Sequence, residues 1–246
     1  MRAVMLVQKC LRSMGYEVVP YPPRDRVRSR DSLRRALKLL SIDCVLDVGA
    51  NHGRFGDQLR DIGYKGWIVS FEPVYGPFKE LSIRAAARPP WRVFQYALGS
   101  ENGQAEIILN ENDELTSFLP PIDSTKTIPR NRVIGKQSVE VRRLDTIFDE
   151  CMAGIDARNI YLKIDTQGYD MEVLRGAEGV LPQIKGAQTE VSFIPIYDGM
   201  PHYIESIREF EARGFRVVDI MPVSRDDGEL LMVEMDCILA RVAEMA

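Results

Sequence analysis

The sequence contains little that would indicate several common classes of protein. Its 246 residues include 32 Lys and Arg against 36 Asp and Glu, which gives a net charge of −4. No excess of positive charge therefore favours binding to nucleic acid. No apolar run approaches the roughly 18 residues that a membrane-spanning helix requires. The chain is nevertheless long enough to bury a substantial core, and its pattern of short apolar runs and helical segments predicts a single α/β domain with an N-terminal extension.

Cysteine and histidine are also scarce. The four cysteines include no C-x-x-C pair, a pattern that favours free, buried thiols over a disulfide or a zinc site; they are Cys10, Cys44, Cys151 and Cys237. Residues 1–10 are apolar but lack the long core and cleavage site of a signal peptide. These absences predict a soluble cytoplasmic protein. Because His52 and His202 are the only histidines, an imidazole base would have to be one of these two.

The most informative stretch is residues 43–53. An apolar run predicts a buried strand that ends at Asp47 and Val48, and a Gly-rich turn with Gly49, Asn51 and Gly53 leads into a predicted helix over 54–62. The spacing is not the dinucleotide fingerprint, since the glycines are four apart, and no Lys-Ser/Thr follows as in a P-loop. A strand, a Gly-rich turn and a helix in this order indicate the cofactor corner of a doubly wound sheet.

A second strand, predicted over 66–72, also ends in an acid. Glu72 follows the glycines by about 20 residues, the place where an acid can accept hydrogen bonds from the ribose hydroxyls of a bound nucleoside. Pro73 then directs the chain into a helix predicted over 78–87. Glu72 is therefore a candidate cofactor-binding residue.

The middle of the chain is predicted to cover the site. A third strand over 93–100 is followed by a turn and another strand over 105–109. Residues 110–136 are polar, contain three prolines and have no clear period, which predicts a long irregular loop. We expect residues 110–119 to form part of a lid, and predict a further strand over 138–144 with a short helix after it.

A second chemical centre is predicted at 159–170, where an apolar strand ends at Asp165 and is followed by a Gly turn and a helix. Its carboxyl end is where open α/β sheets place substrates. Lys163 lies within this strand, and a buried lysine requires a carboxylate partner. Glu190, in a fifth strand predicted over 188–193, is placed to reach the same cleft, and His202 lies in the loop that follows.

The two ends of the chain are read from weaker patterns. Residues 1–40 are predicted to form a helical extension, with one helix over 3–14 and a second beginning at Asp31 or Ser32; residues 41–246 then form the main domain. The apolar N-terminal helix would allow a homodimer. Segments 214–218 and 234–239 are predicted to close the sheet as an antiparallel hairpin.

With these motifs in place, the sequence resembles the FkbM-like family of S-adenosylmethionine (SAM)-dependent methyltransferases. The matching pieces lie in order over about residues 42–240: Asp47-Val48-Gly49-Ala50-Asn51-x-Gly53, Phe71-Glu72-Pro73, Ala97-Leu98-Gly99, Val141-x-x-Leu144-Asp145, Leu162-Lys163-Ile164-Asp165-x-x-Gly168-Tyr169-Asp170, Val173-Leu174-x-Gly176 and Glu190. Members commonly have Glu where this chain has Asp170, and Thr116-Ser117 matches less well.

The resemblance implies a class I methyltransferase (Rossmann-like) fold, a seven-stranded, mostly parallel sheet with helices on both faces. It implies O-methylation of a hydroxyl of a sugar, glycolipid or natural product. Asp47 would attract the α-amino group of SAM, and Ala97 and Leu98 would contact its adenine. The cofactor-binding set is then Asp47, Gly49, Asn51, Gly53, Glu72, Pro73, Ala97 and Leu98.

The chemistry leaves alternatives open. A sugar hydroxyl is a weak acid, so transfer requires a general base, for which Asp165 and His202 are the candidates, or a metal. Asp165 and Glu190 together could hold Mg²⁺ through oxygen ligands. Two other functions compete, an NAD-dependent oxidoreductase and a non-catalytic SAM-binding protein. The first is disfavoured by the Gly spacing and the second by the presence of both acids.

Overall fold

A computed structural model of the protein describes residues 24–122, 132–226 and 230–241. The predictions for residues 3–14, including a helix that could form a dimer contact, and for Cys10 lie outside these ranges. Within them, no helix is both long and apolar enough to cross a membrane. Cys44, Cys151 and Cys237 are free and buried, as predicted.

Ten strands form two sheets in the described part of the chain. Their bounds are β1 Cys44–Val48, β2 Trp67–Phe71, β3 Trp91–Phe94, β4 Ala97–Leu98, β5 Gly103–Asn110, β6 Val133–Arg142, β7 Ile160–Ile164, β8 Ile184–Ser192, β9 Phe215–Asp226 and β10 Leu231–Arg241. The main sheet has seven strands in the order β3-β2-β1-β7-β8-β10-β9. The pairs from β3 to β8 are parallel, whereas β10 is antiparallel to both β8 and β9. The predicted mostly parallel sheet and its closing hairpin are confirmed.

Six α-helices in the described residues cover both faces of this sheet. They are α1 Arg24–Leu39, α2 Arg54–Asp61, α3 Tyr75–Ala87, α4 Leu144–Met152, α5 Asp170–Gly176 and α6 Tyr203–Ala212. Successive side chains of a strand point to opposite faces. In β1, Leu46 packs in the core that α4, α5 and α6 cover, while Val45 packs in the core under α1, α2 and α3. The two hydrophobic cores confirm the predicted three-layer arrangement.

Helix α1 begins earlier than the sequence indicated. The predicted start at Asp31 or Ser32 is wrong, because the helix extends back to Arg24. The segment contains no Gly or Pro to interrupt it. The Ser32 hydroxyl donates a hydrogen bond to Asp219 of β9 instead of capping the helix. Leu33 and Leu37 are buried in the core beside β1, so α1 packs directly on the sheet.

The predicted third strand over 93–100 is two strands in two different sheets. β3 belongs to the main sheet, and β4 pairs with β6 in a three-stranded sheet of order β4-β6-β5. Between them the chain turns, and the ring of Tyr96 lies 5.8 Å from Phe71 and 5.5 Å from Phe94. The apolar pattern continues through the turn because the rings of Phe94 and Tyr96 pack against each other there, which is why the sequence alone does not divide the two strands.

The segment predicted as an irregular loop over 110–136 is partly regular. A single 3-10 turn covers Asp113–Leu115, and Ser117 pairs with Ile108 in an isolated antiparallel bridge. Strand β6 already begins at Val133 and pairs along its length with β5. Residues 123–131 lie outside the described ranges. The loop is therefore shorter than predicted and is held against the neighbouring strand.

Candidate active site

The Gly-rich turn after β1 lies against the second chemical centre. The amides of Gly49 and Ala50 both donate to the Phe71 carbonyl, at 3.1 and 3.0 Å. Gly49 has φ +73°, which glycine adopts at little cost. A Cβ atom added to Gly49 would lie 1.9 Å from the backbone oxygen of Asp165. Glycine is therefore required for the turn to approach the end of β7 closely, as β1 and β7 pair side by side.

Glu72 follows β2 and is almost fully buried, with a residue exposure of 6%. Its Oε2 accepts the backbone N–H of Asn51, and its Oε1 accepts that of Val74, both at 2.8 Å. Burial raises the pKa of Glu72 to about 7, and the two backbone hydrogen bonds oppose that rise. Each carboxylate oxygen retains a further lone pair. Glu72 is thus fixed in place with acceptor capacity remaining.

A row of polar side chains crosses four neighbouring strands below the turn. Ser70, Asp47, Lys163 and Gln188 are register partners on β2, β1, β7 and β8, and all four are buried. Ser70 donates to Asp47 Oδ2 at 3.0 Å, and Lys163 Nζ lies 3.2 Å from Asp47 Oδ1. The prediction that Lys163 needs a carboxylate partner is confirmed. Asp47 is 0% exposed and lies beneath the turn.

A cavity of about 440 Å³ opens at the carboxyl ends of these strands. One end, the cofactor end, is lined by Gly49, Asn51, Glu72, Pro73, Ala97 and Leu98. The other end is lined by Asp165, Glu190, Glu234 and Asp236, named here the acidic wall. Asp47 and Gly53 are not part of the lining. Asp47 is buried beneath the turn, and Gly53 stands at the start of α2. The two chemical centres predicted from the sequence therefore meet in one cavity.

The acidic wall concentrates negative charge on one face of β8 and β10. Asp236 is directly opposite Glu190 in the antiparallel pair, and Glu234 lies two residues earlier on the same face. Burial, followed by the charge of Asp165, raises the pKa of Glu190 well above its ordinary value. The same two causes raise the pKa of Asp236 to about 6, and burial raises that of Glu234. The pKa of Asp236 leaves that group mostly ionised at neutral pH, whereas the raised pKa of Glu190 favours its protonated form.

Asp165 lines the cavity and is partly exposed, with 39% of its side chain accessible. Its Oδ2 lies 3.3 Å from Lys163 Nζ. The side-chain amide of Gln167 donates to Asp165 Oδ1 at 3.1 Å and to Glu190 Oε2 at 3.2 Å. The Tyr197 hydroxyl lies 3.0 Å from Gln167 Oε1.

The Mg²⁺ site predicted at Asp165 and Glu190 does not find support in this geometry. The Gln167 amide nitrogen lies between the two carboxylates, where a cation would have to bind, and the Lys163 ammonium already balances Asp165. Among the residues the structure describes, no group of three His, Cys, Asp or Glu side chains is placed to hold a metal ion. Mg²⁺ prefers several oxygen ligands in near-octahedral geometry, and the amide of Gln167 already bonds to an oxygen of each of the two predicted carboxylates.

Residues 110–119, named here the covering segment, contact the cofactor turn. Asn51 donates to the Asp113 carbonyl at 3.2 Å, and His52 Nε2 lies 2.7 Å from Asp113 Oδ2. Ser117 and Tyr197 hold the other end of the segment through the carbonyls of Gln167 and Leu115, at 2.7 and 2.8 Å. Side chains of the segment line the cavity. His52 thus joins the turn to the covering segment.

His202 lies apart from the acids that it was predicted to accompany. It occupies the residue before α6, and its backbone N–H donates to Glu205 Oε2 at 3.0 Å. Its ring packs on Tyr203, with 4.5 Å between centroids. His202 is not among the residues that line the cavity. The structure therefore groups Asp165 with Glu190 and leaves His202 at a helix end.

Sequence reasoning did not identify Gln167, Glu234 or Asp236 as part of the site. The alternation of polar and apolar residues over 233–237 does indicate that the two acids share one face of a strand. Their place beside Glu190 depends on the insertion of β10 between β8 and β9, which no local pattern records. Gln167 is identified only by its hydrogen bonds.

The strand order, the antiparallel strand beside β8 and the cavity at the carboxyl ends define a class of protein, the class I SAM-dependent methyltransferases. A sequence model of the family described as Methyltransferase FkbM domain matches residues 47–217, more than half of the chain. The protein belongs to this family, as its motifs predicted.

Individual relatives are more distant. The 2-O-methyltransferase NoeI of Sinorhizobium fredii is 27% identical over 170 residues, which cover 63% of this chain and 65% of that protein. The magnesium protoporphyrin IX methyltransferase ChlM of Synechocystis, solved with bound SAM, is 10% identical with a TM-score of 0.49, covering 97% and 96% of the two chains. An rRNA methylase of Streptococcus thermophilus is 11% identical with a TM-score of 0.47, covering 91% and 99%. Likeness at these identities concerns the fold.

Proposed function

We propose that this methyltransferase transfers the methyl group of SAM to a hydroxyl of a glycoside or a hydroxylated natural product, with Asp165 as the general base. The observation that supports this proposal best is the arrangement of the cavity. A nucleoside-binding end and an acidic wall face each other across a single space of about 440 Å³, so that a bound cofactor and an acceptor would be neighbours.

The cofactor end fits SAM. Glu72 offers the acceptor oxygens that ribose hydroxyls require, and Ala97 and Leu98 offer an apolar surface for adenine. Gly49 lets the backbone come close because it carries no side chain. SAM, when bound, supplies an electrophilic methyl group. The protein's own part is to orient the acceptor oxygen and to receive its proton.

Asp165 is suited to receive that proton. It is partly exposed and lines the cavity, and the ammonium group of Lys163 lies 3.3 Å from its Oδ2. The Gln167 amide fixes one of its oxygens and leaves further lone pairs free. The proton taken from the acceptor can then be shared with the neighbouring carboxylate of Asp236, whose pKa is raised to about 6.

The acidic wall also indicates which acceptors fit. Carboxylates repel phosphate, sulfate and carboxylate groups but accept hydrogen bonds from neutral hydroxyls. The lining adds amides and a hydroxyl that suit a polyol; they are Asn51, Gln58, Asn112, Thr116, Gln167 and Gln188. An amine acceptor is less suited, since carboxylates stabilise the protonated ammonium form, which has no lone pair to methylate. The name of the relative NoeI, a 2-O-methyltransferase, agrees with an oxygen acceptor.

The proposal is tested in two steps. The purified protein is first titrated with S-adenosylhomocysteine (SAH), the product of SAM after transfer, by isothermal calorimetry. Radiolabelled methyl transfer from SAM is then measured on a panel of neutral glycosides, each paired with its sulfated form and its amino form. We expect SAH binding in the micromolar range and transfer to neutral hydroxyl groups in preference to the charged forms.

Two outcomes would contradict the proposal. A protein that binds NAD but not SAH would favour the oxidoreductase alternative, against its family. SAH binding together with transfer to amines alone would show N-methylation. Replacing Asp165 by Asn distinguishes an enzyme from a non-catalytic SAM-binding protein, because only the enzyme loses turnover while keeping SAH affinity.

A further inference from the structure

Lys163 is the one member of the buried polar row whose contacts reach both chemical centres. Its Nζ lies 3.2 Å from Asp47 Oδ1, 3.3 Å from Asp165 Oδ2 and 3.3 Å from the Gly49 carbonyl, to which it donates. These three acceptors belong to the strand below the turn, to the acidic wall and to the cofactor turn itself. A single ammonium group, with three donors, thus connects all three.

Burial makes this arrangement dependent on charge. Lys163 is 6% exposed, and removal from water alone would lower its pKa. The carboxylates of Asp165 and Asp47 more than offset that effect and raise the pKa of Lys163 above its ordinary value. The ring of Phe55, whose centroid is 5.2 Å from Nζ, covers the group on another side. Lys163 therefore stays charged inside the protein.

Asp47 completes the support from below. Its second oxygen accepts the Ser70 hydroxyl, which in turn accepts Trp91 Nε1 at 2.9 Å. Asp47 is fully buried and outside the cavity lining. Its position is that of a fixed counter-charge to Lys163.

We infer that Lys163 is a positioning residue of the methyl-transfer site, which holds the Gly49 turn and the Asp165 carboxylate in one fixed arrangement on the Asp47 anchor. This inference rests on the proposed function, in that Asp165 is taken as the base. It assigns to Lys163 no contact with the methyl group. Its consequence is that SAH affinity depends on the charge of Lys163, and on the charge of Asp165 only when the Lys163 ammonium group is absent.

The test uses SAH affinity, which requires no acceptor. SAH titrations compare wild type with Lys163→Met, Lys163→Arg, Asp165→Asn and the double variant Lys163→Met/Asp165→Asn. Lys185→Met is the matched control, since Lys185 lies on the adjacent strand β8 and is not part of the cavity lining. Circular dichroism verifies that each variant is folded.

We expect Lys163→Met to weaken SAH binding at least tenfold, because the turn loses a donor and Asp165 loses its neutralising charge. Lys163→Arg keeps the charge and should bind SAH more tightly than Lys163→Met. The double variant should bind SAH at least threefold more tightly than Lys163→Met, because it no longer carries the unbalanced charge of Asp165. Lys185→Met should bind like wild type.

A merely structural lysine would give a different pattern. The inference is overturned if folded Lys163→Met binds SAH within threefold of wild type, if Lys163→Arg is as weak as Lys163→Met, or if the double variant shows no recovery. Because Lys163→Met leaves Asp47 buried without its partner, it can fail to fold. In that case Asp47→Asn/Lys163→Met, which removes both buried charges, replaces it in every comparison.

The outcomes separate this inference from the proposed function. Wild-type protein that does not bind SAH contradicts the function itself. Wild-type binding with unchanged binding by Lys163→Met contradicts only the role of Lys163. Methylation of an acceptor other than a hydroxyl would leave the SAH comparisons as they stand.

Discussion

The two ends of the cavity are built in different ways. The cofactor end comes from the first half of the chain, from the turn after β1, the end of β2 and β4. Its carboxylate, Glu72, accepts backbone hydrogen bonds from Asn51 and Val74. The acidic wall is assembled from β7, β8 and β10, which are distant in sequence and adjacent in the sheet.

The two ends of the cavity also differ in charge. The single buried ammonium group of Lys163 pairs with Asp47 on β1 and with Asp165 after β7. At the acidic wall, the pKa values of Glu190, Glu234 and Asp236 are all raised. Preformed backbone geometry suits the binding of an invariant cofactor. A cluster of carboxyl groups that exchange protons suits chemistry on an acceptor. The predictions below act on one end at a time and so test this division.

The largest effect is expected from Gly49→Ala at the cofactor end. The added Cβ would overlap the Asp165 carbonyl, at 1.9 Å, in a backbone conformation with φ +73°. Positive φ costs a non-glycine residue about 1–2 kcal/mol, and relieving the overlap adds about 1–3 kcal/mol. We expect SAH binding to be undetectable by calorimetry and the free energy of unfolding, measured in urea, to fall by about 3 kcal/mol.

Gly76→Ala is the control for that substitution. Gly76 lies in the first turn of α3, and a Cβ there would meet no atom within 4 Å. The variant should bind SAH like wild type. SAH binding retained by Gly49→Ala would show that the close approach of the turn to Asp165 is not needed for the cofactor.

Asp165→Asn should act on the acidic wall alone. A general base contributes about 10²- to 10⁴-fold to the rate, so kcat should fall at least about 100-fold once an acceptor is known. SAH affinity should remain within about threefold of wild type, since Asn keeps the shape of the side chain. Asp198→Asn, at an exposed loop position, is the control. A fall in kcat of less than about tenfold would remove Asp165 from the role of base.

The same division explains how far the sequence could predict the site. The cofactor end was predictable because a strand, a glycine turn and an acid about 20 residues later are all local features. Gly49, Asn51 and Glu72 line the cavity, and their contact with a cofactor stays a prediction. Asp47 was also read correctly as the strand end, but the side chain alternates to the buried face, where it pairs with Lys163.

The acidic wall was predictable only in part. Asp165 and Glu190 follow from the rule that substrates lie at the carboxyl ends of parallel strands. Glu234 and Asp236 lie on a strand that runs the other way and inserts between β8 and β9, so their place depends on pairing over long distances. His202 was chosen for its residue type and its loop, whereas its position is set by the start of α6.

An intermediate effect is expected from pH at the cofactor end. Burial raises the pKa of Glu72 to about 7, and only the ionised carboxyl can accept hydrogen bonds with both oxygens. SAH binding should therefore favour loss of the proton and strengthen as pH rises, by about tenfold between pH 6 and pH 8. Glu72→Gln, which cannot titrate, should bind weakly with a flat profile. A profile that weakens with rising pH in wild type would reverse the assignment.

The smallest effect is expected where the covering segment meets the cofactor turn. Asp113→Asn removes the carboxylate that lies 2.7 Å from His52 Nε2 but keeps the backbone carbonyl that Asn51 contacts. Partly exposed pairs of this kind contribute about 0.2–1 kcal/mol, so SAH should bind about two- to fivefold more weakly. Asp149→Asn, exposed on α4, serves as the control. If the covering segment closes over the cofactor, the loss should appear mainly as faster SAH dissociation in stopped-flow measurements, and an unchanged dissociation rate would show that the segment is only a wall of the cavity.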